Sequence, residues 1–168
     1  MNLVSEVLQM ELVGFESHNH ASCIQDSLEK ARTYCDQNKL QFTPVRQRVL
    51  EILLERHAAL GAYEILDVLR EEGLGSQPPV AYRALDFLVS HGFVHKIERL
   101  NAFTACASPG TSHSPAFLVC QSCDGVAETS THTDLSEIAG AAAQAGFRVD
   151  QVVVEIMGQC PKCQNGSS

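Results

Sequence analysis

Two Cys-x-x-Cys pairs are the residues of this chain whose spacing indicates chemistry most directly. Cys120 and Cys123 form the first pair, and Cys160 and Cys163 form the second, with 36 residues between them. Each pair can place two thiolates on one side of a tight turn, and two such turns supply the four ligands of a tetrahedral zinc site. The alternatives are reduced cysteines without a metal and a thioredoxin-like redox pair, although neither pair opens a long helix. The spacing therefore predicts a structural zinc that joins the two ends of a small domain.

A second set of metal-binding side chains surrounds the middle of the chain: His95, Cys106, His113 and Glu128. One thiol, two imidazoles and one carboxylate can complete a tetrahedral set, and a thiolate favours zinc over harder ions. Spacing alone leaves the alternatives open, because a lone His in a loop is usually solvated and a lone Cys on a strand usually belongs to the core.

The remaining His and Cys residues give weaker indications. His18, His20 and Cys23 form a loose cluster that is either a third metal site or part of a polar tail, and the tail is the favoured interpretation. Cys35 is predicted in a helix core, and the residues predicted at the surface are His57, His91 and His132.

Composition and charge set limits on the class of protein. A net charge of −8 argues against nucleic-acid binding, but ten of the twelve Lys and Arg fall between Lys30 and Arg99, where cations can cluster on one face. The apolar run from Gln151 to Met157 is too short to span a membrane. The acidic N-terminus does not resemble a secretory signal, so the seven cysteines predict a reducing compartment.

The first two thirds of the chain have a helical pattern. It begins at Asp26, and Thr43 followed by Pro44 predicts the start of a helix whose buried face repeats at helical spacing. Pro78-Pro79 predicts the start of a further helix, which Gly92 ends. The segments FVHKIE and AFTACA then alternate as two short strands. Helices followed by a two-stranded wing are typical of the winged helix-turn-helix.

The sequence divides into two domains, and the predicted fold class is α+β. Residues 1–25 are predicted as a tail or a weak leading helix, 26–107 as a winged-helix domain and 108–114 as a Ser/Pro/Gly-containing hinge. Residues 115–168 form a small α/β domain: strand FLVC, a thiol turn, strand VAET, a helix over about 134–145, then strand FRVDQVVVEIMG.

The segments FTPVRQRVLEIL, AYEILDVLR and PPVAYRALDFLVSHGFVHKIE, followed by the thiol pairs, resemble the ferric uptake regulator superfamily, especially its zinc-sensing branch. The resemblance covers about residues 26–163. It implies a cytoplasmic, homodimeric, zinc-dependent transcriptional repressor of zinc-acquisition genes, without enzymatic activity. The winged helix would bind a double-stranded DNA operator, and the C-terminal domain would form the dimer.

The resemblance also implies two Zn²⁺ ions per chain. It places a regulatory zinc at the hinge, with His95, Cys106, His113 and Glu128 as ligands. The structural zinc belongs to the two thiol pairs. The His-rich stretch that precedes the first pair in iron- and peroxide-sensing relatives is reduced here to His113, which disfavours iron sensing.

Residues that contact DNA follow from the same resemblance. Tyr82 and Arg83 match the base-reading pair of the recognition helix, since Arg pairs with guanine and a Tyr ring can contact a thymine methyl group. Arg46 is expected to contact phosphate. The plainer interpretations are a core aromatic for Tyr82 and a solvated cation for Arg83. Val80-Ala81 replaces the family's Thr-Val, so a hydroxyl near DNA is absent.

Asp67 and Arg70 match positions through which two such dimers can pair side by side on one operator; otherwise they are an ordinary i,i+3 pair.

Three rival functions remain at this point. They are a sensor of iron, manganese or nickel, a redox or metalloprotein that uses the Cys-x-x-Cys pairs, and a structural zinc module without a DNA role.

Overall fold

The structure is a computed structural model that describes residues 12–14, 20–56, 58–75, 77–110, 115–129, 135–150 and 152–166. In chain order its elements are β1 Leu12–Val13, α1 His20–Gln37, α2 Pro44–Glu55, α3 Ala62–Glu71, α4 Pro78–Ser90, β2 Val94–Ile97, β3 Ala102–Ala105, β4 Ala116–Cys120, β5 Val126–Thr129, α5 Ser136–Gln144, β6 Val154–Gly158 and α6 Pro161–Gln164. The predicted α+β architecture, a winged helix-turn-helix followed by a small sheet domain, is confirmed.

The helix boundaries follow from local chemistry. The Thr43 hydroxyl accepts a hydrogen bond from the backbone N–H of Arg46 (3.4 Å), and Pro44 takes the first helical position, where no N–H is needed. Pro78 begins α4 in the same way. The predicted start of α1 at Asp26 is wrong by six residues, because the helix begins at His20.

The core of the head, the part of the molecule formed by α1–α4 and the wing, lies between α2, α3 and α4. Val49 and Leu53 of α2 pack with Ile65 of α3 and Leu85 of α4, and all four are almost fully buried. Because Leu85 and Leu88 face inwards, the opposite side of α4 points to solvent. The core therefore determines which face of α4 is available for binding.

Cys35 and His91 were both assigned from sequence pattern. Cys35 is fully buried, as predicted. His91, predicted to be a surface residue rather than a ligand, is half-buried and packs on the rings of Phe87 (4.5 Å between centroids) and Tyr34 (5.8 Å), because the end of α4 lies beside α1. His57 and His132 lie outside the described residues.

The wing is the antiparallel hairpin β2–β3, in which His95 lies opposite Thr104. Leu60 extends it by exchanging two backbone hydrogen bonds with Phe103, at 2.9 and 2.8 Å. The wing is therefore fixed to the helical core along β3, while its β2–β3 turn projects away from that core.

The C-terminal sheet has the strand order β1-β5-β4-β6. Strand β4 is antiparallel to β5 and parallel to β6, and α5 lies in the connection that a parallel pair requires. The long last strand that was predicted is wrong in extent, because the ladder covers only Val154–Gly158.

The N-terminal segment also joins this sheet, which the prediction of a tail did not include. Val13 lies opposite Glu128 in the β1–β5 ladder. Gly14 has a φ of 141°, and a Cβ at this position would lie 2.5 Å from the carbonyl oxygen of Val126. The close approach of β1 to β5 therefore requires glycine.

The wing packs directly on the C-terminal sheet. Ile97 and Leu100 of the wing form one apolar cluster with Phe117, Val119 and Val126 of the sheet. The two domains thus share a small second core. In the described part of the chain, no helix has the length and apolar character needed to cross a membrane.

Candidate metal centres and DNA-binding face

The two thiol pairs meet at one end of the C-terminal sheet. Because β4 and β6 run parallel, their C-terminal ends lie side by side, with Cys120 opposite Gly158. The four Sγ atoms all lie within 4.8 Å of one another, and those of Cys123 and Cys160 are 3.8 Å apart. This is the donor set of a closed tetrahedral zinc site. The four cysteines that the sequence predicted as one group are therefore brought together.

The thiols of this group differ in acidity. The backbone N–H of Cys160 donates to Cys120 Sγ (3.3 Å) and, with the N–H groups of Ser122 and Cys123, lowers the pKa of Cys120 to about 6. Hydrogen bonds to the neighbouring thiols, that of Cys160 first, raise the pKa of Cys163 to about 12. Cys120 is thus a thiolate at neutral pH and offers a first anionic ligand, and zinc would displace the remaining protons.

A second cluster joins the wing to the sheet. His95 lies in β2, Cys106 directly follows β3, and Glu128 lies in β5, with their ligand atoms all within 4.8 Å of one another. His95 Nε2 is 3.6 Å and Cys106 Sγ 3.9 Å from Glu128 Oε1. The N–H of Ala107 donates to the other carboxylate oxygen (2.8 Å). The three ligand candidates therefore come from both domains.

Burial determines the electrostatics of this second cluster. Only 3% of Cys106 and 5% of Glu128 is exposed. Desolvation, followed by the charge of Glu128, raises the pKa of Cys106 to about 12, so the thiol is neutral without a metal. A thiolate and a carboxylate buried together need a compensating dication, and a Cys/His/Glu donor set suits zinc. These residues fit the predicted regulatory ion.

The fourth predicted ligand, His113, lies outside the described residues, as does His18 of the N-terminal cluster. Cys23 is exposed on α1 and lines, together with Cys106 and Glu128, a cavity of about 160 Å³. Within the described ranges, the two clusters above are the groups of three or more acidic, His or Cys side chains close enough to share an ion. A third metal centre at His18, His20 and Cys23 stays a hypothesis.

The outer face of α4 carries the predicted DNA-contacting residues. Tyr82 is 41% exposed, and Arg83 beside it is also exposed. The Arg46 guanidinium stacks on the Phe87 ring, 3.6 Å from its centroid, and donates to the carbonyl of Gln41. These two contacts hold Arg46 next to the recognition helix.

On α3, Asp67 and Arg70 form an exposed ion pair (2.7 Å) within one chain. They lie on the same face of the helix as Tyr63, which is 64% exposed. The pair is therefore accessible to another molecule, as the sequence interpretation requires.

One side chain that the sequence did not single out, that of Glu155, joins the two domains. Its two carboxylate oxygens accept the backbone N–H groups of Glu98 (2.6 Å) and Arg99 (3.1 Å) in the wing turn. The available signal was a single charge inside the apolar strand VVVEIM. A lone acid in a strand that packs against another domain calls for a polar partner in that domain.

The wing packs on the sheet, one thiol cluster lies within the sheet domain, and a second cluster of metal-binding side chains lies between the two domains. These features define a metal-responsive winged-helix regulator. Residues 37–157 match the Ferric uptake regulator family, and the chain belongs to that family. It is 36% identical over 140 residues to the zinc uptake regulation protein of Escherichia coli K12, covering 83% of this chain and 82% of the relative.

Two solved structures are similar throughout. The zinc uptake regulator complexed with zinc and DNA gives a TM-score of 0.79 at 35% identity, covering 85% of this chain and 96% of that one. The crystal structure of holo XcZur gives a TM-score of 0.75 at 36% identity, covering 83% and 98%. The fold described above is thus similar to that of these two regulators, the first of which is complexed with zinc and DNA.

Proposed function

We propose that this protein is a zinc-responsive, sequence-specific DNA-binding repressor of zinc-uptake genes, without enzymatic activity. The observation that carries the proposal is that the ligand candidates of the second cluster come from two different domains. His95 and Cys106 belong to the wing, whereas Glu128 belongs to the sheet, so one ion bound there connects the two domains. The similarity to zinc uptake regulators supports zinc as the signal and DNA as the partner.

The switch follows from where the ligands are attached. A bound zinc ion supplies a dication that holds an imidazole, a thiolate and a carboxylate together, with His113 as the proposed fourth ligand. Without the ion, Cys106 is neutral, and its S–H···O contact with Glu128 is long, at 3.9 Å. Zinc therefore favours the arrangement in which the wing lies on the sheet, and differential affinity for that arrangement is what a switch requires.

The four-cysteine cluster is proposed as a separate, structural zinc site, which gives two ions per chain. Its ligands all belong to the C-terminal domain and tie the end of β4 to α6. An ion there stabilises one domain without linking it to another, so it does not report zinc to the DNA-binding head.

DNA recognition is assigned to the exposed face of α4. We assign contacts with base edges to Tyr82 and Arg83, because both are exposed, and a phosphate contact to Arg46, whose guanidinium stacks on Phe87. Cations such as Arg46 and Arg83 on this face, rather than the net charge of the chain, then govern the attraction to DNA.

Dimerisation is assigned to the sheet domain. Ile138 and Phe147 are 66% and 68% exposed, α5 buries no residue in the isolated chain, and β6 is an edge of the sheet. Exposed apolar side chains next to a free edge suit a two-fold contact with a second copy.

Asp67 and Arg70 are then proposed to join two dimers on one operator. Thiolate ligands require reducing conditions, in agreement with the proposed cytoplasmic location.

Binding of the purified protein to the promoter of a zinc-uptake gene tests the proposal. Affinity is measured by fluorescence anisotropy with and without zinc, against a scrambled duplex of equal length. We expect tight binding only with zinc and only to the promoter. Equal affinity with and without zinc, or a preference for iron, manganese or nickel at equal free concentration, would overturn the zinc assignment.

A further inference from the structure

The turn at the end of the wing is held by one side chain of the other domain. Glu155 lies in β6, is half-buried, and accepts hydrogen bonds through both carboxylate oxygens. The donors are consecutive backbone N–H groups, those of Glu98 and Arg99, in the turn that connects β2 to β3. Two adjacent N–H groups aimed at one carboxylate form a bidentate, charge-assisted contact, which is stronger and more directional than a neutral hydrogen bond.

Glu155 occupies a defined place relative to the second metal cluster. Phe117 of β4 lies opposite Glu128 on one side and opposite Glu155 on the other. Residues in register on neighbouring strands point to the same face of a sheet, and neighbouring strands are about 4.8 Å apart. Glu128 and Glu155 therefore lie on one face of the sheet, with their backbones about 10 Å apart and Phe117 on the strand between them.

The wing lies along this row of three residues. At one end, His95 and Cys106 meet Glu128. In the middle, the His95 ring is 5.2 Å from the Phe117 ring, and Ile97 belongs to the same apolar cluster as Phe117. At the other end, the turn meets Glu155. The wing thus contacts the sheet at two polar points on either side of an apolar contact.

We propose that Glu155 is a positioning residue: a metal-independent clamp that sets the angle between the DNA-binding head and the dimerisation sheet. The proposal rests on the function proposed above. The zinc cluster and the apolar contact hold one end and the middle of the wing, and Glu155, whose strand lies about 10 Å from that of Glu128, holds the turn at the other end. Zinc and Glu155 then stabilise the same arrangement, so the response to zinc depends on both.

The test compares the unmodified protein with Glu155→Gln, which keeps the size of the side chain but replaces one acceptor oxygen by an amide donor. We measure zinc affinity, dimer mass, promoter affinity at saturating zinc, and hydrogen exchange of the Glu98 and Arg99 amides. We expect unchanged zinc affinity and dimer mass, faster exchange of the two amides, and about tenfold weaker promoter binding. Glu71→Gln, which removes an exposed carboxylate of α3, is the matched control for charge.

The direction of the change in promoter affinity distinguishes a positioning role of Glu155 from a simple effect of its charge. Removing a negative charge strengthens binding to DNA, so a fall in affinity for Glu155→Gln cannot come from electrostatics. If the unmodified protein requires zinc, and Glu155→Gln binds the promoter as tightly as the unmodified protein does, the clamp proposal is overturned and the proposed function stands. If the unmodified protein binds equally without zinc, the proposed function fails, and the role of the clamp in the zinc response fails with it. If zinc affinity falls with promoter affinity, Glu155 supports the metal cluster and is not an independent clamp.

Discussion

Glu128 and Glu155 lie in one row of the C-terminal sheet, each in register with Phe117 on the strand between them. One carboxylate faces the His95–Cys106 pair and the other faces the wing turn. The pleat of the sheet thus presents two acidic groups to the same wing, and the spacing of strands determines the distance between them. This row gives the link between metal binding and head orientation a definite physical basis.

Replacing Cys106 by Ser should abolish zinc-dependent promoter binding while leaving a folded dimer. The hydroxyl does not ionise to a zinc ligand at neutral pH, whereas the thiolate cluster of the other domain is untouched. Promoter affinity with and without zinc is the measurement, with circular dichroism and light scattering to check fold and mass. Cys35→Ala, which also removes a buried thiol from the head, is the control and should keep the zinc response. Unchanged zinc dependence in Cys106→Ser would contradict the regulatory assignment.

The zinc content of reduced protein should be about two ions per chain and should fall to about one with a mild chelator. The four-thiolate site is closed and lies within one domain, whereas the other cluster spans two domains and opens when they separate. Metal analysis before and after dialysis gives the result. A single ion that resists chelation would leave the structural site alone and remove the zinc sensor.

Zinc binding at the hinge should release protons and strengthen as pH rises. The pKa of Cys106 is raised to about 12 by burial and by Glu128, so the thiol carries a proton throughout the neutral range. Because the ligand is the thiolate, this proton must leave, and affinity should rise about tenfold per pH unit from Cys106 alone. Calorimetry between pH 6.5 and 8.5, in two buffers of different ionisation enthalpy, counts the protons. Zinc uptake at this site without proton release would show that Cys106 is not a ligand.

Arg83→Ala should weaken promoter binding by about 1–3 kcal/mol and relax the base preference at one position in each half-site. The reason is that Arg83 is exposed on the outer face of α4, where a guanidinium can pair with a guanine edge. Arg46→Ala is the comparison, since a phosphate contact should weaken binding to all sequences alike. Measurements on a set of single-base variants of the promoter distinguish the two. A uniform loss for Arg83→Ala would reassign Arg83 to the phosphates.

Phe147→Glu should shift the protein from dimer to monomer. Phe147 is 68% exposed in one chain, and a two-fold contact would bury it twice, so its loss should cost about 3 kcal/mol or more of dimer stability. Sedimentation or light scattering over a concentration series provides the dissociation constant. Gln37→Glu adds the same charge at an exposed site on α1, in the head, and should leave the dimer intact. A stable Phe147→Glu dimer would place the interface elsewhere.

The sequence by itself determined the local features of this protein. Thr43 followed by Pro44, and Pro78 before α4, mark helix starts because capping and proline geometry act within a few residues. The x-x spacing of the four cysteines likewise indicates a turn that presents two thiols, and the structure brings both turns together.

Relations between distant residues were decided by the tertiary structure. Spacing alone could not show that His95, Cys106 and Glu128 meet, because their approach depends on how the wing packs on the sheet. The start of α1 at His20 and the pairing of Val13 with Glu128 were missed for the same reason: contacts with the sheet and with other helices, not local propensity, order the N-terminal segment. The lone charge of Glu155 in VVVEIM indicates that a polar partner exists, but the sequence could not identify that partner, because backbone N–H groups are carried by every residue except proline. Only the packing of the wing turn against β6 determines that Glu155 accepts hydrogen bonds from the N–H groups of Glu98 and Arg99.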